Sequence, residues 1–120
     1  MNFNNVVSLP AAVNLAGLEN TAVKLTATGV DVAGATDRVI GTVIRGAAAG
    51  GTVDVFLKAN GFHYVRIGST QTTALAVGDE LEQAAGGTYI KKSAGQVTAL
   101  AIEAAPGGSN NGGQIRAILL

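Results

Sequence analysis

One stretch constrains this chain more than any other. Residues 52–68, TVDVFLKANGFHYVRIG, alternate in side-chain type on either side of Ala59-Asn60-Gly61. A two-residue Asn-Gly turn would set Val55 opposite Arg66 and Asp54 opposite Ile67, whereas a three-residue loop with Gly61 left-handed pairs like with like. That second register predicts Val53 against Ile67, Val55 against Val65 and Leu57 against His63 on one face. On the other it predicts Asp54 against Arg66, Phe56 against Tyr64 and Lys58 against Phe62. A slip of one residue would exchange the two faces, so the agreement predicts a β-hairpin. Its aliphatic face must be buried. Its second face carries Phe56, Phe62 and Tyr64, a set that either forms a protein interface or covers the core edge of a small barrel.

The core such a chain can build is light. Gly accounts for 17 of 120 residues and aromatics for 4%, so Val, Ile, Leu and Ala must fill the interior between many tight turns. The length suits one domain. Small buried side chains gain little per residue from burial, and assembly with identical copies or docking on a larger surface offsets this. Charged residues are 13% and the formal net charge is +0, which leaves no long-range field to attract nucleic acid or an anionic membrane. Cysteine is absent, so disulfides and thiolate chemistry are excluded.

Taken in order, residues 1–20 show no clean period, and Pro10 forbids a regular central strand. They read as an extended arm whose Phe3, Val6, Val7 and Leu9 lie along another surface, or else as a frayed terminus. With no Lys or Arg before Lys24 and Asn14 among its apolar residues, this segment fits neither a signal peptide nor a membrane span. Residues 21–120 then read as a single β domain. Residues 23–28 alternate as a strand, with Val23, Leu25 and Ala27 on one side, and Gly29 begins a loop. VIGTVIR, residues 39–45, is apolar on both faces and predicts an interior strand. Residues 80–84 and 88–92 predict a hairpin about Gly86-Gly87. VTALAIE, residues 97–103, and QIRAILL, residues 114–120, are further strands, separated by the loop PGGSNNGG.

The chain also repeats itself. VIGTVIRGAA from Val39 aligns with VTALAIEAAP from Val97, and each is followed by Gly-Gly and a strand, TVDVFL or QIRAIL. Arg45 then corresponds to Glu103 and Asp54 to Arg116, so pattern is kept and charge is not. The expected fold is all-β, a small barrel or sandwich with two similar strand-loop-strand halves, neither able to bury its apolar face without the other.

Motifs that carry chemistry are missing or incomplete. The lone His63 has no patterned second ligand and is expected at a strand end, half wet. A triad of Ser69 or Ser93 with His63 lacks a nucleophile elbow. GAAAGG lacks the Lys-Ser or Lys-Thr of a phosphate loop and reads as a connection between strands. Gly78-Asp79 lacks calcium-loop spacing and reads as a turn. Scattered basic residues form no run. The expectation is no catalysis, no cofactor, no metal and no small-molecule substrate.

The strand-loop-strand units, AVGDELEQAAGGTYIKK with its Gly78-Asp79-Glu80-Leu81 turn, and the closing VTALAIEAAPGGSNNGGQIRAIL resemble the small head decoration (cement) proteins of tailed bacteriophages. The resemblance spans residues 23–120. It implies a non-enzymatic β protein on the outer surface of an assembled capsid, commonly a homotrimer, whose partner is the major capsid protein and which bridges neighbouring capsid subunits. Such a protein would be made in the host bacterial cytoplasm, and repeated weak contacts would hold it through effective concentration. The residues expected to contact capsid or sister subunits are Phe3, Val6, Val7, Leu9, Phe56, Phe62 and Tyr64. The competing readings are a tail or fibre component and a surface carbohydrate-binding β module.

Overall fold

The computed structural model describes residues 5–58, 62–105 and 113–120. Each predicted strand-loop-strand unit forms an antiparallel pair: β4 (Gly41–Arg45) with β5 (Thr52–Leu57), and β9 (Ala99–Ala101) with β10 (Gln114–Leu119). β4 lies between β5 and β2 (Ala22–Thr26), the interior place its two-faced apolar run requires. β2 pairs on its other side with β3 (Gly29–Val32), a strand beginning where the sequence suggested a loop. β1 (Val6–Pro10) completes this sheet as an edge strand on β5. The N-terminal arm is thus extended, and this part of it is hydrogen-bonded into the sheet, ending at the proline that cannot donate to a ladder.

The second sheet repeats the first. β6 (Phe62–Arg66), β7 (Glu80–Ala84) and β8 (Thr88–Lys91) join β9 and β10, so the strand orders are β1-β5-β4-β2-β3 and β6-β10-β9-β7-β8. The repeat read from the last two strands of each half extends to all five. Loop hydrogen bonds match as well: Asn20 N–H to Val43 O and Gly78 N–H to Ala101 O, both 2.8 Å, and Lys58 N–H to Ile40 O and Leu120 N–H to Thr98 O, both 2.9 Å. Asn20 (φ 67°) takes in the first half the left-handed conformation that Gly78 (φ 90°) takes in the second, and Asn is among the few side-chain-bearing residues that adopt it readily.

The sheets pack together as a sandwich-like pair. Neither closes into a barrel; among the described residues one parallel bridge links the edges of each, Ala11 to Val30 and Ile67 to Tyr89. One consequence differs from the sequence expectation. The first sheet curls around a cluster drawn from its own half, including Leu15, Val23, Val30, Val43, Val53 and Val55. The second encloses Val65, Ile67, Leu81, Tyr89 and Ile115, and takes in Ala22, Ala33 and Val39 from the first half. Dependence between the halves therefore runs mainly one way.

The predicted hairpin across residues 52–68 does not form. β5 pairs with β1 and β4, and β6 pairs with β10 in the other sheet; the turn Ala59-Asn60-Gly61 lies outside the described residues. The faces nevertheless sort as expected, because alternation fixes which side chains turn inward in any strand pairing. Val53, Val55, Val65 and Ile67 are all buried. Their cross-strand partners are different ones: Val53 faces Leu9, Val55 faces Val7 and Val43, and Val65 faces Ile115. Asp54 pairs with Arg45 at 3.0 Å, not with Arg66. Arg66 donates instead to the carbonyls of Glu19 (2.8 Å) and Gly17 (3.1 Å).

The seam between the halves rests on a close backbone approach. Gly87, at φ 71°, sits so near the first half that an added Cβ would lie 2.6 Å from Ala22 O and closer still to Thr21 Cγ2. Its carbonyl accepts Ala22 N–H and its N–H donates to Ala33 O, each at 2.9 Å. Only glycine meets both the conformation and the space.

Candidate docking surface

On β6, the alternate residues Phe62, Tyr64 and Arg66 point to the outer side of the second sheet, opposite the buried His63 and Val65. Cross-strand register then places Ile118 beside Phe62 and Arg116 beside Tyr64. Phe62 and Tyr64 meet edge to face, centroids 6.4 Å apart at 76°, a favoured aromatic geometry. The Arg116 guanidinium lies 5.6 Å over the Phe62 ring and pairs with Glu103 at 3.5 Å.

β6 lies against the outer side of β4, and an apolar groove of about 270 Å³ runs between them, lined by Ile44, Phe56, Phe62, His63 and Tyr64 among others. Its rim is open: Ile44 and Phe62 are each 46% exposed and Tyr64 is 50% exposed. Its floor is closed by His63, which is buried, not half wet, because the start of β6 rests on the first sheet. His63 Nδ1 and Thr42 Oγ1 are 2.8 Å apart, and the imidazole lies 4.7 Å from the Phe56 ring. Burial holds its pKa below the usual 6.5, against the opposing pull of the Lys58 and Leu57 backbone. The ring is therefore neutral near pH 7.

The residues singled out in the sequence divide between inside and outside. Phe56, Phe62 and Tyr64 come together in this groove. Val6 is exposed and stands directly beside Phe56 across the β1–β5 ladder. Val7 and Leu9 pack inward against the first-half cluster, and Phe3 lies outside the described residues. Ile44, Ile118 and Arg116 were missed. Ile44 sits in a run whose apolar character on both faces suggested an interior strand; β6 covers the outer face of β4 at Thr42 and leaves Ile44 46% exposed.

A second, more polar cleft of about 540 Å³ lies between the halves, lined by Asp37, Arg38, Lys58, Glu82, Gln96 and Thr98 among others. Its carboxylates are already engaged. Asp37 accepts the Gly34 N–H at 2.7 Å and pairs with Lys24 at 3.0 Å, which together lower its pKa. Glu82 accepts the Ser93 and Gly95 N–H groups at 2.6 and 3.2 Å, with the same effect. Such groups hold the loops in place and are poor proton donors at neutral pH. Among the described residues no three His, Cys, Asp or Glu side chains gather to hold a metal ion.

With this geometry the chain can be set beside known proteins. It is similar in structure to the N base of the head fiber protein gp8.5 of bacteriophage phi29, with a TM-score of 0.69 over 96% of this chain and 92% of that one, at 15% sequence identity. At that identity the likeness is one of fold. No protein-family model and no curated protein sequence matches the chain.

Proposed function

We propose that this chain is a structural protein of a bacteriophage virion, attached to the outer surface of the capsid, where it binds the major capsid protein and bridges neighbouring capsid subunits. The observation that carries the proposal is the fold shared with the phi29 head fiber N base across nearly the whole of both chains. The groove edged by Ile44, Phe62 and Tyr64 supports it from the side of physics. Two aromatic side chains and an isoleucine, each about half exposed around an apolar hollow, are the kind of anchor that dominates protein interfaces. The role is non-enzymatic and needs no cofactor. Assembly as a homotrimer would multiply weak contacts by effective concentration.

The test is co-sedimentation of the purified chain with expanded capsids. Saturable binding is expected, reduced at least tenfold by Phe62→Ala with Tyr64→Ala while the melting curve stays near that of the parent. An unmutated chain that leaves the capsids in the supernatant at all concentrations overturns the reading. The carbohydrate-binding alternative has its own signature, a glycan-array signal abolished by Tyr64→Ala, and that result would replace the capsid as partner.

A further inference from the structure

The repeat supplies, for positions in the second half, a reference residue in the first. The bridges Ala11 to Val30 and Ile67 to Tyr89 set Tyr89 where the first half has Val30. The hydrogen bonds from Ile40 N–H to Val23 O and from Thr98 N–H to Leu81 O, both 2.9 Å, likewise set Thr98 where the first half has Ile40. This topology therefore folds with an aliphatic side chain at either place, and the second half carries a hydroxyl at both.

Both residues line the polar cleft between the halves. Tyr89 is 1% exposed, and its pKa is raised by burial with no hydrogen bond contributing, so its hydroxyl is a protonated donor at neutral pH. Thr98 Oγ1 is buried and has no hydrogen-bond partner among the described residues. Burying an unpaired hydroxyl costs stability, which an aliphatic residue in its place would avoid. Arg38 and Lys58 line the same cleft. None of the ion pairs among the described residues uses either cation, and Lys58 Nζ reaches only the Leu120 oxygen, at 3.4 Å. The carboxylates of the cleft face other donors: Asp37 is neutralised by Lys24, and Glu82 is turned onto the Ser93 and Gly95 N–H groups. Two hydroxyls, a guanidinium and an ammonium are left, all able to donate. The group complementary to such a set accepts only and carries negative charge.

We infer that this cleft binds a carboxylate carried on a short aliphatic stem, with Arg38 and Lys58 supplying the charge and Tyr89 and Thr98 the neutral donors. Val39, Val97 and Leu119 give the cleft aliphatic walls for the stem. Its volume of about 540 Å³ falls within the roughly 300–1,000 Å³ of small-ligand sites. A phosphate dianion fits less well, because Asp37 and Glu82 line the same space. A free carboxylate and a glutamate side chain of a bound peptide present the same chemistry. The inference rests on the cleft alone and is independent of capsid binding.

The test is titration calorimetry on the full chain with glutarate and with an N-acetylated, C-amidated Gly-Glu-Gly peptide. Saturable binding of at least one is expected, with none of glutaramide or inorganic phosphate. Tighter binding of the peptide assigns the carboxylate to an acidic side chain of a partner; equal or tighter binding of glutarate assigns it to a free small molecule. Arg38→Gln and Tyr89→Phe should each weaken binding about tenfold, and Thr98→Val less. Tyr89→Phe should melt at or above the temperature of the parent, because the hydroxyl it removes has no partner in the fold, and this separates a binding role from a structural one. Failure of both probes to bind up to their solubility limit overturns the inference. So does phosphate binding as tightly as glutarate, affinity unchanged in both Arg38→Gln and Tyr89→Phe, or a Tyr89→Phe chain that melts well below the parent.

Discussion

The two halves of this protein share one topology and differ in what their outer faces meet. The first sheet holds its own aliphatic cluster and presents Thr42 and Phe56 outward, where the second half covers them. The second sheet borrows Ala22, Ala33 and Val39 of the first half for its core, and on its outer face Ile118 is 40% exposed and Leu100 half-buried. Even the ion pairs invert. Arg45 on β4 pairs with Asp54 on β5, whereas Glu103 after β9 pairs with Arg116 on β10. Geometry is thus retained where the backbone ladder requires it, and side chains have diverged where only solvent or a partner reads them. The halves also differ at the seam, where Gly86-Gly87 lengthens the β7–β8 turn beyond its β2–β3 counterpart and inserts it against Thr21 and Ala22.

Three changes probe that comparison. The largest effect is expected from Gly87→Val, which places a branched side chain in a left-handed conformation and into the Ala22 backbone. A loss on the order of 3 kcal/mol follows from strain and overpacking, measured by chemical denaturation. The second half should suffer more than the first, because it depends on the seam for its core. Amide hydrogen exchange resolves the halves: protection of Val65 and Tyr89 should fall before that of Val43 and Val55. Equal loss in both halves would contradict the one-way dependence.

A smaller effect is expected from acid. His63 has a folded-state pKa below its unfolded value of about 6.5. The unfolded chain therefore binds more protons over this range, and stability rises with pH. No penalty is present above pH 6.5; stability falls as pH drops below that value and through the lower pKa of the folded state. His63→Val, which installs the residue found at the β1 counterpart, removes that limb of the profile. It leaves the separate, more acidic limb from Asp37 and Glu82, whose lowered pKa values make them stabilising only while ionised. An unchanged slope between pH 6.5 and 5 in the variant would show that His63 is not the group responsible. The smallest effect is expected from exchanging the ends of an exposed pair, Arg45→Asp with Asp54→Arg. Surface pairs contribute about 0–1 kcal/mol, and the second half already carries the reverse polarity. A cost above 2 kcal/mol would mean that Asp54, which also accepts a hydrogen bond from Ser8 at 2.8 Å, is fixed by more than its ion pair.

Period-two alternation was enough to assign an all-β fold, to place Val53, Val55, Val65 and Ile67 inside, and to group Phe56, Phe62 and Tyr64 on the opposite face, as either an interface or the cover of a core edge. The duplicated strand-loop-strand pattern likewise announced two similar halves. These features are local, since a strand sends successive side chains to opposite faces whatever it pairs with. The choice of partner is not local. Residues 52–68 satisfy a hairpin and a crossing between sheets equally well, and the competition from β1 and β10 for the same backbone edges settled the matter. The burial of His63, the exposure of Ile44 and Ile118, and the groove between β4 and β6 all follow from how one sheet rests on the other. Contacts between sheets join residues far apart in the chain and leave no period behind, so only the tertiary structure could decide them.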